Sequence, residues 1–375
     1  MRDDELLIVP IGRYMLSLSL SSKQHAFTPK KESMEIILKD PTTFKKVKWL
    51  DYIFLPMLND KRDMAFIYLS LKITFTIIPL ALVIFLIPDL YWPFYLAYLL
   101  VILFLFLGPY MLMLHNVSHR KFLKKKFNFL NKYIPWVLGI FFGQTPETYF
   151  YHHVTMHHPE NNESSDLSST MKYRRDSIWA FLSYLGSFYL SGVINLAMYF
   201  RRRHKGKFAF RVIGGELAYL LLSILLCFFN FKATLIVFIA PLIFIRFAMM
   251  AGNWAQHAFI NIEKPGDIYN NSITCINSYY NKQCFNDGYH IGHHLRPYMH
   301  WTEMPADFKK NIDLYRNNKA IIFSGLDYFQ IWFLLMTRNY KKLAANFVEL
   351  GEVRPREEII KLLKSRTQKC FAFPA

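Results

Sequence analysis

Hydrophobic and polar positions fall in long blocks along this chain. Residues 66–87 carry Lys72 as their one charge, and residues 90–114 carry none. Residues 212–231 and 233–251 repeat the arrangement, marked inside by Glu216 and Arg246. A helix crosses about 30 Å of hydrocarbon with about 20 mostly apolar residues, so each block predicts one transmembrane helix. A turn at Pro88 and Asp89 joins the first two blocks into a hairpin, and a break at residues 230–232 joins the second two. Charges inside such helices usually face protein or a cavity.

Two further stretches read differently. Residues 178–200 are uncharged and long enough to span, but Ser183, Gly186, Ser187, Ser191, Gly192 and Asn195 dilute them. A lone crossing there would put the chain after Ala251 on the opposite side from the segment after Leu114, separating histidine clusters that must meet. The stretch is therefore read as interfacial or re-entrant. Residues 134–142 are too short to span and are read the same way. The expected fold is an all-α polytopic membrane protein, with four transmembrane helices in two hairpins, interfacial helices and a cytoplasmic histidine-rich cap. Its expected parts are a basic cytoplasmic extension (1–63), the membrane domain (64–310) and a cytoplasmic helical tail (311–375).

Composition agrees with this picture. The 375 residues are 53% hydrophobic and 19% charged, below the globular norm of about 25% charged, which argues against a disordered or ordinary soluble chain. Lys plus Arg outnumber Asp plus Glu by 45 to 27. Such an excess needs an anionic partner, and the apolar blocks favour the lipid bilayer over nucleic acid. The cations crowd one side of both hairpins: Lys45, Lys46, Lys48, Lys61 and Arg62, then residues 120–126, then Arg201, Arg202, Arg203, Lys205 and Lys207. The positive-inside rule then puts both termini and the middle segment in the cytoplasm. Runs 121–126 and 201–207 read as anchors for anionic lipid, or as docking sites for an acidic electron donor or a coenzyme A phosphate. Cys227, Cys275, Cys284 and Cys370 lack zinc-ribbon spacing and read as free thiols on a reducing side.

Ten of the 13 histidines fall in four tight places at the ends of, or between, the apolar blocks. His115 and His119 are four apart in LHNVSH; His152, His153, His157 and His158 form YHHVTMHH; Asn253 and His257 share the four-residue spacing in GNWAQH; His290, His293 and His294 form YHIGHH. Residues four apart lie on one helix face, so a pair such as His153 and His157 aims two side chains at a common ion. His158 and His293 lie about 100° round the helix from a neighbour, within reach of a second ion. Nine imidazoles are too many for one metal; two ions with four or five ligands each fit the count. Imidazole suits Fe, Cu and Zn better than Mg or Ca. His25, His204 and His300 read as non-ligands. His152, Glu147, Asp166, Asp287 and Glu303 lie near the clusters and are candidates to orient the imidazoles through their second nitrogens.

These motifs resemble the membrane fatty acid desaturase and hydroxylase superfamily, whose three boxes run HxxxH, HxxHH or HxxxHH, then HxxHH. His115 to His119 is similar to the first box, His153 to His158 to the second and His290 to His294 to the third, and the match covers about residues 66–305. The resemblance implies two Fe ions held by the nine histidines, with Asn253 acting through a metal-bound water, and an endoplasmic reticulum location with the metal site facing the cytoplasm. It also implies a fatty acyl lipid or acyl-CoA substrate. Ile291, and a second box one residue longer than that of the stearoyl type, depart from the acyl-CoA pattern. No HPGG haem signature occurs, so the implied electron donor is separate, a b-type cytochrome or a ferredoxin with its reductase.

The implied reaction introduces a double bond into an acyl chain with O2. Hydroxylation of an acyl lipid or sphingolipid on the same iron site is the alternative within the family. A membrane metal carrier or lipid-binding scaffold is the alternative outside it, although a carrier places ligands at mid-bilayer on broken helices, not beyond the apolar ends.

Overall fold

The computed structural model describes residues 36–43, 49–87 and 90–370. The expected turn at Pro88 and Asp89, the cations Lys45, Lys46 and Lys48, and residues 1–35 of the extension lie outside them. The elements that place the site are α1 (Lys61–Leu86), α2 (Trp92–His119), α3 (residues 148–160), α4 (Ile178–Arg202), α5 (Gly206–Phe229), α6 (Phe231–Gln256), β1 (Ile273–Ile276), α7 (His290–Leu295), β2 (Ile321–Ser324) and α8 (Tyr328–Met336).

Helices α1, α2, α4, α5 and α6 are each long and apolar enough to cross a membrane. Their outward faces carry large apolar side chains such as Phe75, Phe104, Leu190 and Phe228, each at least three-quarters exposed. Apolar surface of this extent is stable in hydrocarbon and not in water, and the protein is a multi-pass membrane protein. The expected break between α5 and α6 falls at Asn230, whose side chain caps α6 by accepting from the Ala233 N–H at 3.0 Å. The two charges marked inside this hairpin meet. Arg246 donates to Glu216 at 2.8 Å, and the hydroxyls of Thr145 and Thr148 donate to the same carboxylate at 2.5 and 3.1 Å. A paired, hydrogen-bonded charge avoids most of the penalty of an isolated one at that depth.

The segment over residues 134–142 forms a wide helical turn, Tyr133–Leu138, followed by the single turn Gly139–Phe141. Helix α4 runs unbroken for 25 residues, without the interruption of a re-entrant segment. It makes five, not four, the number of helices among the described residues that qualify as spans by length and composition. Its two ends touch the same histidine-bearing segment. Near its start Tyr184 donates to the Ser168 carbonyl at 3.2 Å; near its end Tyr199 and Arg203 donate to Glu160 at 2.5 and 2.8 Å.

Above the helix ends lies a cap built from the segment after α2, the segment after α6 and the C-terminal residues. Strands β1 and β2 pair in parallel, from Ile273 opposite Ile321 to Ile276 opposite Ser324. Residues beyond 310 thus combine helices with a strand and are woven into the cap. The buried guanidinium of Arg175 ties three segments together by donating to the carbonyls of Ala258, Tyr173, Arg366 and Gln368. A planar group with five N–H donors suits that task. From the N-terminal side, Asp40 accepts from Asn277 and Tyr289, each at 2.7 Å, and Asn286 donates to the Pro41 carbonyl.

Gly288 sits where these pieces converge on α7. Its N–H meets Asn281 Oδ1, and its carbonyl accepts from the Cys275 N–H at 2.7 Å and from Tyr328. A Cβ at this position would lie 2.2 Å from the Cys275 carbonyl oxygen, so β1 or α7 would have to shift. Gly288→Ala is expected to cost about 1–3 kcal/mol and to reduce metal uptake, because His290, His293 and His294 follow directly. Thermal unfolding and metal analysis of the purified variant check this, and wild-type values for both would refute it.

Candidate metal centre

The histidines sit on four short pieces of backbone. His115 and His119 end α2, one turn apart. His257 follows α6 as its cap residue, its N–H bonded to the Asn253 carbonyl at 3.1 Å. His290, His293 and His294 share the two turns of α7. In α3 the residues His153–His157 form a π-helical turn, closed by the N–H of His158 on the carbonyl of His153.

These pieces bring nine imidazoles into two groups. His115, His119, His153, His158 and His293 form one; His157, His257, His290 and His294 form the other. Within each group one ring nitrogen from every member lies within 4.8 Å of the rest. Imidazole nitrogens about 2.1 Å from a shared transition-metal ion are at most about 4.2 Å apart, so small ring movements bring either group to the compass of one ion. The spacing argument fails at one point. His153 and His157, four apart, belong to different groups, whereas His153 and His158, five apart, have their Nε2 atoms 3.2 Å apart. The reason is the π turn, whose i to i+5 bonding widens the helix and brings the residue five along, His158, beside His153.

The donor chemistry fits a cation. His115 Nδ1 lies 3.1 Å from Asp287, His157 Nδ1 2.7 Å from Asp166 and His257 Nδ1 2.8 Å from the Asn271 carbonyl. These acceptors require a proton on Nδ1, which leaves Nε2 bare. Yet His115 Nε2 lies 2.8 Å from His293 Nε2, and His257 Nε2 lies 3.2 Å from His290 Nε2. The buried Nε2 atoms of His119 and His294 have no hydrogen-bond partner among the described residues. His293 Nε2 also lies 2.9 Å from His158 Nε2, and a proton on a ring nitrogen can bridge only one such contact at a time, so a positive ion among these atoms relieves the repulsion of the remaining lone pairs. A set made wholly of imidazole selects a transition metal over Mg or Ca.

Among the candidates for orienting the rings, the structure separates two from the rest. Asp166 and Asp287 touch His157 and His115. Glu147 instead accepts from Trp136, and Glu303 from Arg62. His152 packs edge-on against Phe188. His300, read as a non-ligand, pairs with Asp63 at 3.0 Å outside both groups. Sequence reasoning missed the Asn271 carbonyl and the Tyr280 hydroxyl that supports Asp287 at 2.7 Å. No residue pattern announces a backbone acceptor. Asn253 spends both amide hydrogens, on the Ser168 carbonyl and the Tyr184 hydroxyl at 2.9 and 2.8 Å. Its carbonyl oxygen is left for the adjoining cavity, which has a volume of about 300 Å³. Leu107, Met111, Leu112, Met249 and Met250 make that cavity apolar, while His115, His153, His157 and His290 border it.

Burial first, and neighbouring imidazoles second, push His153, His158, His290, His293 and His294 well below the usual histidine range. His257 falls to about 3 for the same reasons. Burial raises the Asp166 carboxyl, but His157 and Ser168 outweigh it and hold it below its ordinary value. The folded protein thus refuses protons that its unfolded chain takes up below about pH 6.5. Where the unfolded state binds more protons, stability falls as pH falls. The metal-free protein is expected to hold its unfolding temperature above pH 7 and to lose it progressively from about pH 6.5 towards 4, with bound metal released in the same direction. An unfolding temperature that stays level from pH 7 to 5 would contradict this.

A family model described as fatty acid desaturase matches residues 90–325, more than half of the chain. No curated protein and no solved structure matches it. The matched stretch contains all nine clustered imidazoles, their supporting carboxylates and most of the lining of the apolar cavity beside them, and on that match the chain belongs to the fatty acid desaturase family.

Proposed function

We propose that this protein introduces a double bond into a fatty acyl chain held in the cavity beside the imidazoles, with two Fe ions bound by the two histidine groups. The observation that carries the reading is the contact between an apolar cavity of about 300 Å³ and members of both groups. Iron bound there supplies O2 activation strong enough to remove hydrogen from an unactivated methylene, which protein side chains lack. In the overall balance, two hydrogens from adjacent carbons, O2, two electrons and two protons become an alkene and two waters. The electrons come from a separate donor protein.

The chain's own residues perform the positioning. Leucine and methionine side chains along the cavity hold the acyl chain by apolar contact and exclude water. Asp287 and Asp166 fix the tautomers and ring directions of His115 and His157. Asn253 presents its carbonyl oxygen to a water beside His157 and His290. The contacts of α4 support an interfacial position for it, because a helix crossing the bilayer would draw the polar loop between Glu160 and Ser168 into the hydrocarbon to be touched near both ends. Four crossings then put the ends of α2 and α6 on one side, and the positive-inside rule makes that side cytoplasmic, as in an endoplasmic reticulum membrane.

Expression in a host of known lipid composition, followed by mass spectrometry of the lipids, tests the reaction. New double bonds are expected. New hydroxyls would move the reading to the hydroxylase branch, and unchanged lipids from a protein that binds metal would remove catalysis from it. His119→Ala and His294→Ala are each expected to abolish product while releasing metal mainly from one group. Asp287→Asn is expected to weaken metal binding by about 10–100-fold, measured by competition with a chelator.

A further inference from the structure

The cavity has an uneven rim. Of its lining residues one is exposed: Phe329, at 53%. Phe329 belongs to α8, a nine-residue helix, YFQIWFLLM, with Gln330 its one polar member besides the Tyr328 hydroxyl. Tyr328, Ile331, Leu334 and Leu335 are buried, while Phe333 is 55% exposed. The helix therefore shows apolar side chains on its outer face as well as its inner one. On a water-facing helix the outer face would be polar.

The packing of α8 gives its depth. Trp332 and Phe329 lie against the ring of Phe247 on α6, with centroids 5.3 and 6.5 Å away. Phe247 precedes the end of α6 at Gln256 by nine residues, about 13 Å down the helix from the cap. Trp332 also meets Phe181 of α4 at 5.1 Å. Exposed side chains flank this contact on every element: Trp179 and Leu182 on α4, Ile243 and Phe244 on α6. Helix α8 is thus continuous with the lipid-facing surface of a membrane-crossing helix.

The cavity's charges complete the argument. Asp287 and Asp327 line it, and no Lys or Arg does among the described residues. Recognition of a phosphate group uses Arg, Lys or a helix N-terminus. This lining offers no cation to the phosphates of an acyl-coenzyme A or to the carboxylate of a free fatty acid, and the N-terminus of α8 that reaches it is already capped by the Asp327 carboxylate.

We propose that α8 lies in the interfacial layer of the bilayer and forms a sideways mouth to the cavity, with Phe329 at its rim. The acyl chain enters from the leaflet on the histidine side while still attached to a membrane lipid, as an ester or amide of a polar head group. The head group stays at the bilayer surface and needs no cationic pocket. This rests on the acyl-oxidation reading above for the reaction, but the position of α8 stands apart from it.

Two measurements test the proposal. A nitroxide attached to Phe333→Cys, in a Cys227→Ala background and in phosphatidylcholine bilayers, is expected to collide more with O2 than with a water-soluble nickel chelate. The reverse order would place α8 in water and overturn the mouth. The reconstituted protein, supplied with metal and an electron donor, is then offered one isotope-labelled saturated chain on phosphatidylcholine or on coenzyme A. The phosphatidylcholine chain is expected to be oxidised faster by about tenfold or more, and Phe329→Lys to abolish that preference. Faster turnover of the coenzyme A ester would overturn the proposal and leave the acyl-oxidation reading intact. Oxidation of neither chain would sink that reading, and the nitroxide result would still decide where α8 lies.

Discussion

Nine imidazoles are held close together out of water, and the rest of the structure is arranged around that constraint. Desolvating a histidine disfavours its charged form, and each neighbour that gained a proton would disfavour it further. The low proton affinity of His290, His293 and His294 is therefore set first by burial and deepened by the rings around them. Neutral rings with bare Nε2 atoms are ready ligands, but without an ion they store repulsion. A stiff scaffold must keep them from relaxing apart.

The scaffold does this with backbone geometry and few carboxylates. The π turn in α3 hands His153 and His158 to one group and His157 to the other, so a single short helix serves both. Asp287 braces His115 while accepting from Tyr280 and Gln256. Asp166 braces His157 while accepting from Asn162 and Ser168. Each carboxylate is thus fixed by two other residues before it fixes a ring, which limits the rotational freedom the site would otherwise lose on binding an ion.

Much of this was legible in the residues. The apolar blocks marked α1, α2, α5 and α6 because hydrocarbon demands uninterrupted apolar helix. The histidine spacing marked all nine clustered rings because chelation needs them within a few ångströms. The partition of His153 and His157 was not legible, since a π turn depends on tertiary packing and leaves no local signal. The choice of Asp166 and Asp287 over Glu147 and Glu303 was hidden for a similar reason: proximity along the chain says little about which carboxylate turns towards a ring. The weaving of residues 311–370 into the cap escaped because β1 and β2 are only four residues each and their partners lie far apart in the chain.

That last feature has a bearing on the order in which the molecule is made. The carbonyls that receive Arg175 belong partly to Arg366 and Gln368, and the strand opposite β1 begins at Ile321. A ribosome that has delivered all the bilayer-crossing helices has still not released the pieces that close the cap over the imidazoles. Assembly of the metal-binding chamber is thus a late event in biogenesis, after insertion, and a nascent chain that has not yet delivered Arg366 and Gln368 lacks two of the carbonyls that hold Arg175 in the cap.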